Sequence, residues 1–190
     1  MKRILWLLVC VVMLAGCTGK RDELDRIMEL RGDLLSSSPC TFDTVVTADY
    51  GDKTQEFTLS CVSEGENLNF TVRQPLSIAG ITGEIDQENG EIGYDGTVLA
   101  FEPVAEGDIS PVGAPWLFLK TLRSGFITSC NQEEKLLRVS ADDSYADDAF
   151  HLNIWLDEKN IPVSGEILKD NRRILTLKIE NFGIERKNGT

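Results

Sequence analysis

Leu14-Ala15-Gly16-Cys17 is the segment whose residue types and spacing point most directly to chemistry. Ala15 and Gly16 are small enough for a peptidase that excludes bulk, and Cys17 supplies a thiol that can be acylated before cleavage. Upstream, Lys2 and Arg3 form a cationic start that stays cytoplasmic, and Ile4 to Leu14 is an unbroken apolar run suited to a translocase. That run is well short of the roughly 20 apolar residues that cross a bilayer, and Gly16, Thr18, Gly19 and Lys20 follow it at once. The pattern therefore predicts a lipoprotein signal peptide over residues 1–16, a short tether over 17–21 with lipidated Cys17, and one domain over 22–190. Each buried methylene contributes about 0.8 kcal/mol and one chain binds only marginally, so two or three palmitate-type chains on Cys17 would make a lasting membrane anchor. The expected location is the extracytoplasmic face of a bacterial envelope membrane.

The remaining reactive side chains are few. His151 is the sole histidine, and it alternates onto the strand face opposite Phe150 and Leu152, the wetter side. A Ser/His/Asp or Cys/His device would have to use it, so catalytic residues of those types are not expected. Cys40, Cys61 and Cys130 stay in the exported part. Cys40 and Cys61 flank a hairpin turning at Tyr50-Gly51-Asp52-Lys53, in a register that sets Phe42 opposite Cys61 with Cys40 diagonal to it, which makes them a candidate disulfide. Cys130 is an alternative partner for either, and all three can equally be reduced core thiols. No CxxC or Cys/His spacing suggests a metal. The acidic stretch Asp142-Asp143-Ser144-Tyr145-Ala146-Asp147-Asp148 lacks the alternating ligands, glycine and terminal glutamate of a calcium loop, and reads as a solvated turn. No metal, no cofactor and no enzymatic activity are expected.

Composition narrows the partners. The 190 residues carry 31 acidic and 19 basic side chains, a formal charge of −12. Phosphate neutralisation needs clustered Lys and Arg, so nucleic acid is excluded as a partner, and adsorption to anionic lipid is disfavoured for the same reason. Attachment to membrane must come from the acyl anchor on Cys17. With 42% hydrophobic and 26% charged residues the chain has a globular composition able to bury a core.

The elements that hold these residues alternate sharply in period. Leu24, Ile27, Met28, Leu34 and Leu35 recur at helical spacing between Asp22 and Ser36, with acidic residues favouring the N-terminal end, and Ser36-Ser37-Ser38-Pro39 stops the helix. From Cys40 the period becomes two, predicting strands over 40–49, 54–63, 67–74, 77–86, 90–94 and 97–102 with turn residues between them. A second helix is expected from Ala114 to Leu122, with Pro115 in its first turn and Gly125 beyond its end. Strands resume over 126–131, 135–141, 147–157, 162–169 and 172–181. Gly80, Gly83, Gly90, Gly93 and Gly96 fall in or between strands, where glycine marks bulges and curvature. The predicted fold is α+β, mainly β: a strongly curved, half-open antiparallel barrel of about eleven strands, covered by an N-terminal and a central helix. One-sided alternation over so many strands requires a cover for the apolar face. Phe57, Leu59, Phe70, Val72, Trp116, Phe118, Leu119, Leu152, Ile154 and Leu177 are accordingly the candidate lining of an apolar cavity.

The order of helix, long meander, apolar helix and further hairpins behind a lipobox resembles the LolA/LolB-like family of lipoprotein carriers and receptors. Local echoes are Trp155-Leu156-Asp157-Glu158-Lys159-Asn160-Ile161-Pro162, where a strand, an acidic turn and a proline precede the last hairpin, and Ile179-Glu180-Asn181-Phe182 at the end. The resemblance covers residues 22 to 182. It implies a concave sheet face, closed by helices, that shelters acyl chains of a lipid or lipoprotein. The lipobox brings this chain nearer to the anchored receptor type than to the soluble carrier, but no protruding apolar loop marks membrane delivery. The alternative is an envelope scaffold with a filled core, whose convex surface recruits another envelope protein.

Overall fold

A computed structural model describes residues 19–36, 39–87, 89–105 and 107–185. The signal segment, Cys10, Cys17, Ser37, Ser38 and Glu88 lie outside the described residues. Helix α1 spans Gly19–Leu35, so helix already occupies positions read as tether. It is followed by strands β1 (Cys40–Asp49), β2 (Thr54–Glu64), β3 (Asn67–Gln74), β4 (Thr82–Asp86), β5 (Asn89–Tyr94) and β6 (Thr97–Phe101). A small hairpin, β7 (Val104–Ala105) and β8 (Asp108–Ile109), leads to helix α2 (Ala114–Ser124). Strands β9 (Phe126–Glu133), β10 (Leu136–Asp142), β11 (His151–Leu156), β12 (Pro162–Lys169) and β13 (Arg172–Ile184) complete the chain.

Eleven strands form one antiparallel sheet in the order β6-β5-β4-β3-β2-β1-β13-β12-β11-β10-β9. The sheet is thus two meanders joined at their centre, where β1 pairs with β13. The chain leaves the first meander at one outer edge and enters the second at the other, and α2 lies on this long crossing. The strands that open and close the domain are buried in the middle of the sheet, while β6 and β9 are its two outer strands.

The alternation in the sequence decides which side is covered. Along β1, Cys40, Phe42, Thr44, Val46 and Ala48 are buried while the residues between them are more exposed. Phe57, Leu59, Cys61 and Ser63 follow the same rule on β2. Phe42 pairs with Cys61 and Val46 with Phe57, so inward residues of neighbouring strands meet on one face.

Four expectations on the elements need correction. The segment 77–86 is not one strand: Leu76–Ile78 forms a 3-10 turn after a cis Gln74–Pro75 peptide, and only Thr82–Asp86 joins the ladder. Proline cannot donate to a ladder, and the chain re-enters it through Gly80, whose φ of +90° favours glycine and whose N–H donates to Val72 O over 2.9 Å. Strand β11 begins at His151 instead of residue 147, because Asp143 Oδ1 accepts the Phe150 N–H at 2.7 Å and holds the preceding residues in a loop. The hairpin β7-β8 was not anticipated, its strands being too short to show a period. On α1 the buried stripe is Ile27, Leu30 and Leu34, whereas Leu24, Met28 and Leu35 are exposed. The i, i+3, i+7 set falls on one face and the others on its flanks.

Two arginines dock α1. Arg31 lies over the C-terminal end of α2, donating from Nε to Leu122 O at 2.9 Å and from Nη2 to Gly125 O at 2.7 Å. A cation supplied to the last carbonyls of a helix satisfies groups that have no partner inside it and opposes the negative end of its dipole. Arg26 donates to Asn160 Oδ1 at 2.7 Å and to Asp157 O at 2.8 Å, in the turn between β11 and β12.

Candidate ligand cavity

Helix α2 carries two different faces. Phe118 is fully buried, and its ring occupies the place a Cβ would take on Gly165 of β12, 2.7 Å away. Glycine at that position lets the helix approach the sheet, and α2 contacts β10, β11, β12 and β13. The other face presents Trp116, Leu119, Lys120 and Arg123, spaced i, i+3, i+4 and i+7, to a cavity of about 700 Å³. This size falls within the roughly 300–1,000 Å³ of small-molecule sites.

Three further elements wall the cavity. The C-terminal end of α1 contributes Leu34 and Leu35, the β2-β3 hairpin contributes Ser63, Gly65, Glu66 and Leu68, and the β4-β5 turn contributes Gln87 and Asn89. Leu34, Leu68, Trp116 and Leu119 are buried, and Leu35 is exposed, so an apolar floor runs out to an apolar rim. Lys120 Nζ stands 4.9 Å from the centroid of the Trp116 ring, a cation–π distance.

Of the ten residues nominated from sequence, Trp116 and Leu119 line this cavity. Phe57, Leu59, Phe70, Val72, Phe118, Leu152, Ile154 and Leu177 lie instead in the packed core. On the second meander α2 lies over β10–β13 and covers Leu152, Ile154 and Leu177, while Phe57, Leu59, Phe70 and Val72 on β2 and β3 are buried in the same hydrophobic core. Sequence reading missed Arg123, Lys120 and Ser63. The available signal was the continuation of the Trp116-Leu119 stripe by one further turn, which brings two cations onto an otherwise apolar helix face.

Arg123 is the unusual member. Only 9% of it is exposed. It donates from Nη2 to Ser63 Oγ at 2.8 Å, and Ser63 Oγ in turn donates to Asn67 O at 2.8 Å. The Arg123 Nε–H is buried without a hydrogen-bond partner. Burial lowers its pKa, with the neighbouring Cys40 and Glu66 opposing that shift.

The three thiols are free. Cys40 and Cys61 are not a bridged pair. Cys40 stands opposite Ser63 and Cys61 opposite Phe42, and diagonal neighbours in a ladder are about 7–8 Å apart, beyond the about 6.8 Å that a disulfide usually spans between Cα atoms. Burial raises the Cys40 pKa to about 11 against the opposing effect of Arg123, and burial raises those of Cys61 and Cys130 as well. A thiol held protonated is neither a nucleophile nor a ready metal ligand. His151 is half-exposed with Nδ1 2.7 Å from Asp142 Oδ1, its cross-strand neighbour. Among the described residues no group of three or more His, Cys, Asp or Glu side chains is placed to hold a metal ion.

No protein-family model matches the sequence, and neither does any curated protein. Solved structures do match in fold. A domain described as an outer membrane lipoprotein-sorting protein from Vibrio parahaemolyticus aligns with a TM-score of 0.50 at 8% identity, over 90% of this chain and 95% of that one. A DUF1329 family protein from Desulfovibrio piger gives 0.49 at 7% identity, over 90% and 95%. A LolA superfamily protein from Nitrosomonas europaea gives 0.44 at 10% identity, over 86% and 94%. At such identities the likeness is one of fold. The open antiparallel sheet of eleven strands, with an N-terminal helix and with α2 lying over β10–β13, is the fold that this chain shares with the lipoprotein-sorting domain.

Proposed function

We propose that the protein is a lipid-anchored envelope lipoprotein, held on the extracytoplasmic face of the membrane through Cys17, that binds or carries a hydrophobic ligand such as the acyl chain of a lipid or lipoprotein. It acts by sequestration and not by catalysis. The observation that carries this reading is the cavity of about 700 Å³ between α1, α2 and the first meander, with Leu34, Leu68, Trp116 and Leu119 in its wall. Water in contact with such a surface is released when an apolar chain covers it, which contributes about 25 cal/mol per Å² buried. The fold shared with the lipoprotein-sorting domain is consistent with the reading. Native mass spectrometry of the purified protein, followed by organic extraction, tests it. A bound amphiphile, or uptake of one when offered, is the expected result. A protein that neither carries nor takes up amphiphiles overturns it.

The division of the chain belongs to the same proposal: signal over 1–16, tether with acylated Cys17 over 17–21, and a single domain over 22–190. Replacing Cys17→Ala should leave the precursor unprocessed or abolish incorporation of a palmitate label. Normal processing and labelling of that variant would refute the anchor.

A second reading, a scaffold with a self-filled core that recruits another envelope protein, draws on a different observation. Phe57, Leu59, Phe70, Leu152, Ile154 and Leu177 all belong to one buried hydrophobic core, so much of the sheet's inward face is already occupied. Failure of amphiphile uptake would favour it.

A further inference from the structure

Arg123 poses a problem that the apolar cavity alone does not explain. A guanidinium stays charged at any physiological pH, and burying a charge is costly unless it is paired and hydrogen-bonded. Here one of its N–H groups has no partner, and its hydrogen bond inside the protein goes to a neutral hydroxyl, Ser63 Oγ. Among the described residues no carboxylate forms an ion pair with it. Among the described residues Glu66 is the one acidic residue in the cavity wall, and it is exposed on the β2-β3 turn. One turn of helix away, Lys120 brings a second cation to the same wall above Trp116. Thus a chain with a net charge of −12 places two cations, one of them buried and incompletely hydrogen-bonded, beside an apolar pocket.

We infer that the cavity selects an amphiphile with an acidic head group, a carboxylate or phosphate monoester, whose anion is received by Arg123 and Lys120 while its chain lies against Leu34, Leu68 and Leu119. This rests on the hydrophobic-ligand reading above and adds the chemical class of ligand. An anionic oxygen accepting from the Arg123 guanidinium compensates the buried charge, and charge-assisted bonds of this kind are about twice as strong as neutral ones. A neutral lipid of the same chain length fills the apolar part and leaves the guanidinium as it was. The cost of burying Arg123 therefore becomes discrimination between ligands.

The test compares anthroyloxy-labelled stearic acid with its methyl ester by fluorescence titration of the purified protein. The acid is expected to bind about tenfold tighter or more, the range of one hydrogen bond to a charged group. Arg123→Met should bring the ratio of the two affinities close to one, Arg123→Lys should keep part of the preference, and Lys120→Met should reduce it. Lysophosphatidic acid should displace the labelled acid, and inorganic phosphate should not. Equal binding of acid and ester by the unmodified protein overturns the head-group assignment and leaves the lipid cavity standing. Binding of neither probe overturns the cavity reading and this inference with it. Displacement by inorganic phosphate alone would assign the cations to a free anion and also overturn the proposal. If Arg123→Met does not fold, the comparison in the unmodified protein and in Lys120→Met still decides.

Discussion

Strands β10–β13 pack against α2, and the inward residues Leu137, Val139, Leu152, Ile154, Leu156 and Ile167 are all 1% exposed or less. Strands β4–β6, at the far end of the other meander, have no helix over them among the described residues. There Val98 and Leu99 are more than 60% exposed, and the interior is filled by short-range means. The Phe70 ring sits where a Cβ on its cross-strand partner Gly83 would be, and Phe101 does the same on Gly90. The two meanders share their alternation and hairpin connections but differ in what closes the concave face. Where a helix lies over the sheet, alternation becomes core. Where the helix turns its other face outward, the same curvature leaves a cavity, and its walls come from the ends of α1, the β2-β3 hairpin and the β4-β5 turn.

The largest test of this contrast is Phe118→Ala. The ring is fully buried between α2 and Gly165, and removing a buried aromatic costs about 3–5 kcal/mol. Chemical denaturation should show a loss of that size with an unchanged denaturant slope. A loss below about 1 kcal/mol would mean that the second meander is not held by its helix, and the comparison would collapse.

A smaller effect is expected at the seam between the halves. Asp43 on β1 accepts from Asn181 Nδ2 on β13 at 2.8 Å and from Ser60 Oγ on β2 at 2.8 Å. The Asn181 hydrogen bond, then that of Ser60, holds the Asp43 carboxyl below the usual carboxylate range, with Arg73 assisting and burial opposing. A carboxyl whose pKa is depressed by folding contributes stability above its unfolded value of about 3.9, and loses it as the pH falls through the folded value. Asn181→Ala should therefore destabilise by no more than about 1 kcal/mol near neutrality, given the solvent screening of an exposed pair. The difference from the unmodified protein should shrink as the pH is lowered below about 4. A difference that grows in acid would show that the bond at the seam does not favour the ionised carboxyl.

Much of this frame was legible in the sequence because it is local. Period-two runs marked all eleven strands of the main sheet, and Pro115 and Gly125 bracketed α2. Turn residues fixed the β1-β2 register so that Phe42 meets Cys61. What stayed hidden depends on distant parts of the chain. Alternation tells which side chains point inward but not what they meet there, so Phe57 and Leu152 are nominated for a cavity and lie instead in the packed core. The cavity is walled by residues from α1, two turns and the outer face of α2, which the β6-to-β9 crossing brings together. Arg123 carried no local mark as a buried group, since its surroundings are set by Ser63, 60 positions earlier. One strand is predicted over 77–86, but Pro75 before it and Gly80 within it turn the chain, so that only Thr82–Asp86 joins the ladder.

The smallest expected effect lies at the open edge of the first meander. Val98 and Leu99 on β6 are 62% and 65% exposed, and β6 has a sheet neighbour on one side only. Replacing either with lysine removes little buried area, and a charge on an outer strand is a common way for a sheet to avoid pairing with another chain. Thermal or chemical denaturation of Val98→Lys and Leu99→Lys should therefore stay within about 0.5 kcal/mol of the unmodified protein. The pair of substitutions is informative because the two side chains point to opposite sides of the strand. A loss confined to one of them would identify a face that is covered in solution, by closure of the barrel or by a partner. Such a result would move β6 from the open half of the molecule to the filled half, whereas two near-silent lysines keep the division between a helix-filled meander and an open one.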